Sequence, residues 1–300
     1  MAEEKTLLES IGGIEYRNLD GLDANSEIIL VTNTHTILRD LPSQLLKRTK
    51  LIVHPNSGYD NFIQDQNLWQ NIPFVIGHTI RAQAVAEYTL GCVFEGRLEL
   101  PQHLSWSETR NWNRRLLKGE PILIFGYGHI GKIVADTLAT IGMMVTVVDP
   151  FITSCPHTLI KEWSQVEMRN FKAVLMCCGL NKFSHHILNQ DFFASLRDDV
   201  LIVNGARGPL IDELALREYL LTHPQSFAFL DVFEKEPFTE QWHNFPQVWK
   251  TSHIAGVHKD LDRGILGFEY QTISDFMVEG FMEKYHNALL QNKIISGAVI

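Results

Sequence analysis

Cysteine is scarce: the 300 residues hold four, Cys92, Cys155, Cys177 and Cys178, and no C-x-x-C pair. That usage favours free thiols in a reducing compartment over a disulfide framework. Long apolar runs are lacking too, since no stretch reaches the roughly 18–20 residues that a bilayer span needs. Positive charge is in deficit. With 26 Lys and Arg against 35 Asp and Glu, the formal net charge is −9, which argues against general nucleic-acid or anionic-membrane binding. A local basic pocket for a small anion stays open. Repeats and low-complexity segments are absent. The opening Met1–Lys5 is polar and acidic, with no cationic stretch leading into an apolar one, so the expected location is the cytoplasm.

What the chain does have is ordinary globular material, 45% hydrophobic and 20% charged. That suffices for sizeable cores, and the length suggests two domains. Short apolar runs rich in β-formers recur between helix-like stretches. They fall at 27–32, 50–54 and 72–76, then at 121–125, 144–148, 172–177, 200–204, 226–230 and 248–252. Continuous rather than alternating apolar runs suit strands buried on both faces, as in a parallel sheet. Segments such as 131–141, apolar at Ile133, Val134, Leu138 and Ile141, predict the intervening helices. The alternation implies an α/β fold. Residues 98–118, with Trp106 and Trp112, break the rhythm and read as an arm, either a solvated linker or a partner contact. Residues 259–286 read as one long helix or two shorter ones.

The sharpest local pattern is PILIF-Gly126-Tyr-Gly128-His-Ile-Gly131, a strand, a G-x-G-x-x-G turn and a helix. Gly126 permits the tight turn, Gly128 lets a pyrophosphate approach the backbone, and Gly131 lets the helix pack on the strand. The helix start then offers N–H groups and a partial positive charge. A second strand ends at Asp149, eighteen residues after Gly131, where an acid can accept from ribose hydroxyls and repel a 2′-phosphate. Pro150 and Phe151 follow, with no Arg to hold such a phosphate. The expected cofactor is NAD.

Three further segments place polar residues just after predicted strands: VNGAR around Arg207, LDVFEKEP with Asp231 and Glu236, and SHIAG with His253. Strand ends of an open parallel sheet converge on one edge. Reducing a 2-keto acid requires a fixed cation for the carboxylate, which Arg207 can supply as a planar fork. It also requires a proton donor near neutral pH, a task for His253, with Glu236 favouring and orienting its protonated form. No metal is expected. A hydrolase reading on His185 and His186 finds no H-E-x-x-H helix to support it.

With these motifs, and with NSGYDN at 56–61 and AVAEYTLG at 84–91, the chain resembles the D-isomer-specific 2-hydroxyacid dehydrogenase family from about Leu51 to Gly256. The resemblance implies two Rossmann-like domains, doubly wound parallel sheets with a cleft between them. Residues 1–93 with 257–300 would form a flavodoxin-like substrate domain, and 94–256 the NAD-binding domain. It implies that Arg207, Glu236 and His253 are catalytic. The implied cofactor set is Gly126, Gly128, His129, Ile130, Gly131, Asp149, Cys178, Ala206 and Asp231, the last on the nicotinamide carboxamide. The implied substrate set is Asn56, Ser57, Gly58 and Arg81 together with Arg207. It also implies a homodimer built on the arm, a preference for the D isomer and, from Glu236 rather than Gln, an enzyme outside the formate-oxidising branch. The chain departs from the family pattern at Lys172, Cys177, Gly179 and Arg81, where Asp, His, Pro and Asn are usual.

Arg81 leaves the substrate open. It either grips a second anion, such as a phosphate, with His54 and His78 lining the same pocket, or forms a surface ion pair. A phosphoglycerate-type acid and a plain glyoxylate or hydroxypyruvate type both remain. The competing function is a non-catalytic NAD(H)-sensing interaction protein on the same fold.

Overall fold

The computed structural model describes residues 2–22, 25–98, 105–109, 116–238, 240–295 and 298–299. They form two compact units, 1–81 with 257–300, and 82–256.

The smaller unit opens with helix α1 (Ala2–Glu9). Three parallel strands follow, β1 (Ile28–Val31), β2 (Thr49–His54) and β3 (Phe74–Ile76), separated by α2 (Ser43–Arg48) and α3 (Gln66–Trp69). Among the described residues they lie in the order β1-β2-β3. Alternate side chains of β2 serve different cores. Ile52 joins Phe62, Trp69 and Phe74 on one face, while Leu51 and Val53 join Val75 and Ile273 on the other.

The larger unit begins with α4 (Ala82–Leu98). Its strands are β4 (Pro121–Phe125), β5 (Met144–Val148), β6 (Thr158–Ile160), β7 (Ala173–Met176), β8 (Leu201–Asn204), β9 (Phe227–Leu230) and β10 (Val248–Lys250). All pair in parallel, in the order β10-β9-β8-β7-β4-β5-β6. The predicted runs at 121–125 and 144–148 coincide with β4 and β5. Both faces of the sheet are covered. Ile122 and Ile124 pack with α4 and α5 (His129–Thr140), while Leu123 and Phe125 pack on the side of α6 (Gln190–Ala194) and α7 (Glu213–Thr222). The order reverses between β4 and β7, which opens a crevice at their carboxyl ends. The expected boundary at 93/94 falls inside α4, whose Ala86, Cys92 and Val93 belong to the larger unit's core. Arg97 near its end makes two bonds to Glu120, 2.9 and 2.8 Å, tying the helix to the residue before β4.

The chain returns to the smaller unit as α8 (Leu261–Phe276) and α9 (Phe281–Lys284), separated at Gly280 by a left-handed turn (φ 86°), and ends in the short pair β11 (Ile294–Ile295) and β12 (Ala298–Val299). Of the segment expected as an arm, 99–104 and 110–115, Trp112 included, lie outside the described residues. Trp106 is 86% exposed. No helix among the described residues is long and apolar enough to cross a membrane.

Candidate active site

The glycine turn is shaped by what cannot fit there. Gly126 follows β4 at φ +92°, a backbone that side chains disfavour. A Cβ on it would lie 2.8 Å from Cys178 Cα and 2.9 Å from the Cys177 carbonyl oxygen, so the segments after β4 and β7 touch at the strand-order reversal. A Cβ on Gly131 would come within 2.0 Å of the Gly126 oxygen, which is how closely α5 packs on the turn. Gly128 differs: nothing lies within 4 Å of its would-be Cβ. The outer side of the turn is therefore bare backbone. Lys132 N–H makes a bond to the Gly128 oxygen at 2.9 Å, and the amides of the first turn, His129, Ile130 and Gly131, head the helix where its dipole favours an anion. Bare backbone, a glycine cradle and a helix start fit a dinucleotide pyrophosphate.

Asp149 sits just after β5 and is nearly buried. Its carboxylate accepts from the amides of Tyr127 (2.9 Å), Phe151 (2.9 Å) and Ile152 (3.3 Å). A carboxylate has about four acceptor sites, so most of this one ties the glycine turn to the loop after β5. Lys161 was missed in the sequence. Its ammonium donates to the carbonyls of Asp149 (3.3 Å) and Ile152. The pairing of β5 with β6 brings it there, and β6 is too short and too exposed to announce itself as an apolar run.

At the other half of the sheet edge, Glu236 Oε2 accepts from His253 Nδ1 at 2.8 Å. The Phe233 amide holds the second Glu236 oxygen at 3.1 Å. The His253 side chain is 53% exposed, and its Nε2 has no hydrogen-bond partner among the described residues. Beneath it lies Asp231, 0% exposed. The Asp231 carboxylate accepts from Thr251 Oγ1 (2.5 Å) and from the amides of Ile254 (2.7 Å) and Ala255 (2.8 Å), while its carbonyl accepts from His253 N–H at 2.9 Å. Asp231 thus anchors the His253 loop. Arg207 leaves β8 on a loop stiffened by buried Asn204, which accepts from Ala206 N–H (3.1 Å) and donates to the Arg207 carbonyl (2.8 Å). One guanidinium nitrogen of Arg207 donates to the Ala206 carbonyl at 2.8 Å. A Cβ on Gly208 would sit 1.9 Å from the Phe233 carbonyl carbon, so the Arg207 loop lies directly against the Glu236 loop. Burial pushes the thiol of Cys178 up to about 12, leaving it a weak nucleophile.

In the smaller unit, the loop Asn56–Gly58 follows β2 and Arg81 follows β3. Arg81 Nη2 donates to Asn56 Oδ1 at 2.9 Å. Burial pushes the Arg81 guanidinium down, and Asp262 opposes that. His54 does not line a pocket. It is 0% exposed, its Nε2 bonds the Gly58 carbonyl and its Nδ1 meets Thr32 Oγ1, both at 2.9 Å. Since a carbonyl only accepts, Nε2 carries the proton. His54 shapes the Asn56–Gly58 loop from below.

No group of three His, Cys, Asp or Glu that could hold a metal ion occurs among the described residues. The rings of His185 and His186 stack at 4.1 Å, and His186 pairs with Glu234 at 2.7 Å.

Residues 94–255 match the family model of the D-isomer specific 2-hydroxyacid dehydrogenase NAD binding domain. The chain is 27% identical over 251 residues to a hydroxypyruvate reductase of Thermotoga maritima, covering 80% of this chain and 81% of that one. It is 28% identical over 265 residues to a D-3-phosphoglycerate dehydrogenase of Bacillus subtilis, covering 82% of this chain and 50% of that one, so it spans about half the length of that relative. In fold it is similar to D-lactate dehydrogenase of Aquifex aeolicus, solved with NAD and lactic acid, at a TM-score of 0.78 and 19% identity, covering 97% and 96% of the two chains.

Proposed function

The chain belongs to the D-isomer specific 2-hydroxyacid dehydrogenase family, and from that premise we propose that it moves hydride between NAD and a small D-2-hydroxy or 2-keto acid, with Arg207, Glu236 and His253 as its catalytic residues. One observation carries the assignment of roles: Glu236 holds Nδ1 of a half-exposed His253 at 2.8 Å, which leaves the opposite ring nitrogen for substrate. Gly126–Gly131 would hold the pyrophosphate, and Asp149 and Cys178 line the same turn. Bound NADH supplies the hydride.

The chain's own residues handle the anion and the proton. Arg207 grips the substrate carboxylate through charge-assisted bonds. Protonated His253 donates from Nε2 to the carbonyl oxygen as that oxygen becomes a hydroxyl, and Glu236 stabilises the imidazolium beforehand. In the oxidation direction neutral His253 takes the hydroxyl proton. Asn56, Ser57 and Gly58 add amide donors for the carboxylate. Arg81, bonded to Asn56, adds a cation suited to a phosphorylated or otherwise second-anion substrate. Asp231 serves chiefly as the scaffold of the His253 loop, beside any contact with the carboxamide. The protein works as a homodimer in the cytoplasm, and light scattering of the purified chain tests the dimer.

The deciding experiment is NADH oxidation against glyoxylate, hydroxypyruvate, pyruvate, 2-ketoglutarate and phosphohydroxypyruvate. Turnover of at least one is expected, with Arg81→Asn costing most for the phosphorylated acid. Tight NADH binding with turnover of none would favour the sensor instead. Glu236→Gln should slow reduction while NADH affinity is kept, because the carboxylate that holds His253 Nδ1 is then lost.

A further inference from the structure

Among the described residues only two besides glycines have a left-handed backbone, and both are histidines: His253 at φ 55° and His186 at φ 49°. Strained backbone of this kind persists only where the surroundings fix it. Each of the two pairs with a carboxylate, and the two carboxylates lie two residues apart, His253 with Glu236 and His186 with Glu234. The second pair has no place in the hydride-transfer scheme above.

Its position suggests one. His186 lies on the segment after β7, and its N–H bonds the Pro209 carbonyl at 2.8 Å. Leu188 and Asp212 continue that stitching through Leu188 N–H to Leu210 O (3.2 Å) and Asp212 N–H to Leu188 O (3.0 Å). The segment after β7 is thereby bound to the loop that carries Arg207. That loop in turn presses Gly208 against Phe233 and Glu234. Glu234 is held twice: its side chain by His186 Nε2 at 2.7 Å, and its N–H by Glu213 Oε1 at 2.7 Å, from the first residue of α7. The His186–Glu234 bond therefore joins the outer two of three stacked loops across the middle one.

We propose that His186 is a positioning residue, whose pair with Glu234 clips the loops after β7 and β9 together over the Arg207 loop and so holds Glu236 in register with His253. The inference rests on the proposed roles of Glu236 and His253. The ionisable groups around the clip are few. His186 faces Glu234 and the ring of His185, Glu234 also faces Glu213, and His253 faces Glu236 with Asp231 behind its loop.

The test follows the His253 ring by NMR in the full-length protein labelled at histidine, with the resonance assigned from a His253→Gln variant. The bond to Glu236 Oε2 sets the electronic environment of His253 Nδ1, so any loosening of Glu236 moves the His253 Nδ1 resonance. His186→Ala and Glu234→Gln should both produce that move, and their combination should add nothing to either. His186→Asn, which tolerates the left-handed backbone and can still donate to Glu234, should restore most of it. With hydroxypyruvate as probe, kcat should fall on the order of tenfold in His186→Ala, less than the hundredfold that an ångström of misplacement can cost, while the KM for NADH stays put. Glu236→Gln is the control. If it leaves His253 unmoved, the His253–Glu236 assignment itself fails. If it moves His253 while His186→Ala and Glu234→Gln do not, the clip alone is wrong. Should His186→Ala not fold, Glu234→Gln decides by the same reading.

Discussion

Asp231 and Glu269 are both shut away from water, at 0% and 3% exposure, yet the chain treats them in opposite ways. Asp231, at the carboxyl edge of the larger sheet, receives a hydroxyl and two amides. Glu269, on α8 in the smaller unit, has one oxygen with no hydrogen-bond partner among the described residues. Burial first and the charge of Glu4 second push Glu269 up to about 7. A buried charge is tolerable when donors surround it and costly when they do not. Polar groups are thus spent where His253 must be held still, and the helix layer of the other unit carries an acid that titrates instead.

The contrast can be pressed from its reacting end downward. His253→Ala should lower kcat by about 10²–10⁴-fold with NADH affinity unchanged by fluorescence titration, since in the proposed scheme the imidazole meets the substrate and not the glycine turn. Asp231→Ala should strip the acceptor from Ile254 and Ala255 at about 1–3 kcal/mol per unpaired amide. Melting temperature and turnover should then fall together at every pH, and an unchanged melting temperature would show that the scaffold lies elsewhere. For Glu269→Gln the sign reverses. The folded protein holds the Glu269 proton more tightly than the unfolded chain, so the wild type loses stability as pH climbs from about 4.5 to about 7, by at most about 3 kcal/mol. The glutamine variant is spared that loss, so thermal melts should favour it at pH 8 and show little difference at pH 5. The smallest effect on stability belongs to Gly128→Ala. With nothing within 4 Å of the new methyl, stability should stay within about 0.5 kcal/mol, while NADH affinity should drop if, as proposed, the pyrophosphate lies against the Gly128 backbone.

Legibility followed the kind of force at work. Strands buried on both faces had to be continuous apolar runs, so β4 and β5 were readable to the residue. Gly126 and Gly131 of the turn were readable because steric exclusion leaves only one residue type there. The edge strand β6 was not, having little burial to mark it, and with it went Lys161. His54 looked like a pocket residue because its number along β2 does not reveal that its ring is sealed under the Gly58 carbonyl. The pairing of His186 with Glu234 was not legible, since its two members come from distant segments and such pairings leave no spacing in the chain. Arg81 was legible as a cation, but its bond to Asn56 was not.

The close fit at Gly208 limits how this protein can be recombined with its relatives. Backbone at 233–234 fills the space that any side chain at 208 would claim, so the two stretches are matched halves of one moulding. A chimaera whose crossover separates them would join halves cast apart, whereas one that swaps 205–238 as a block would keep the mould intact.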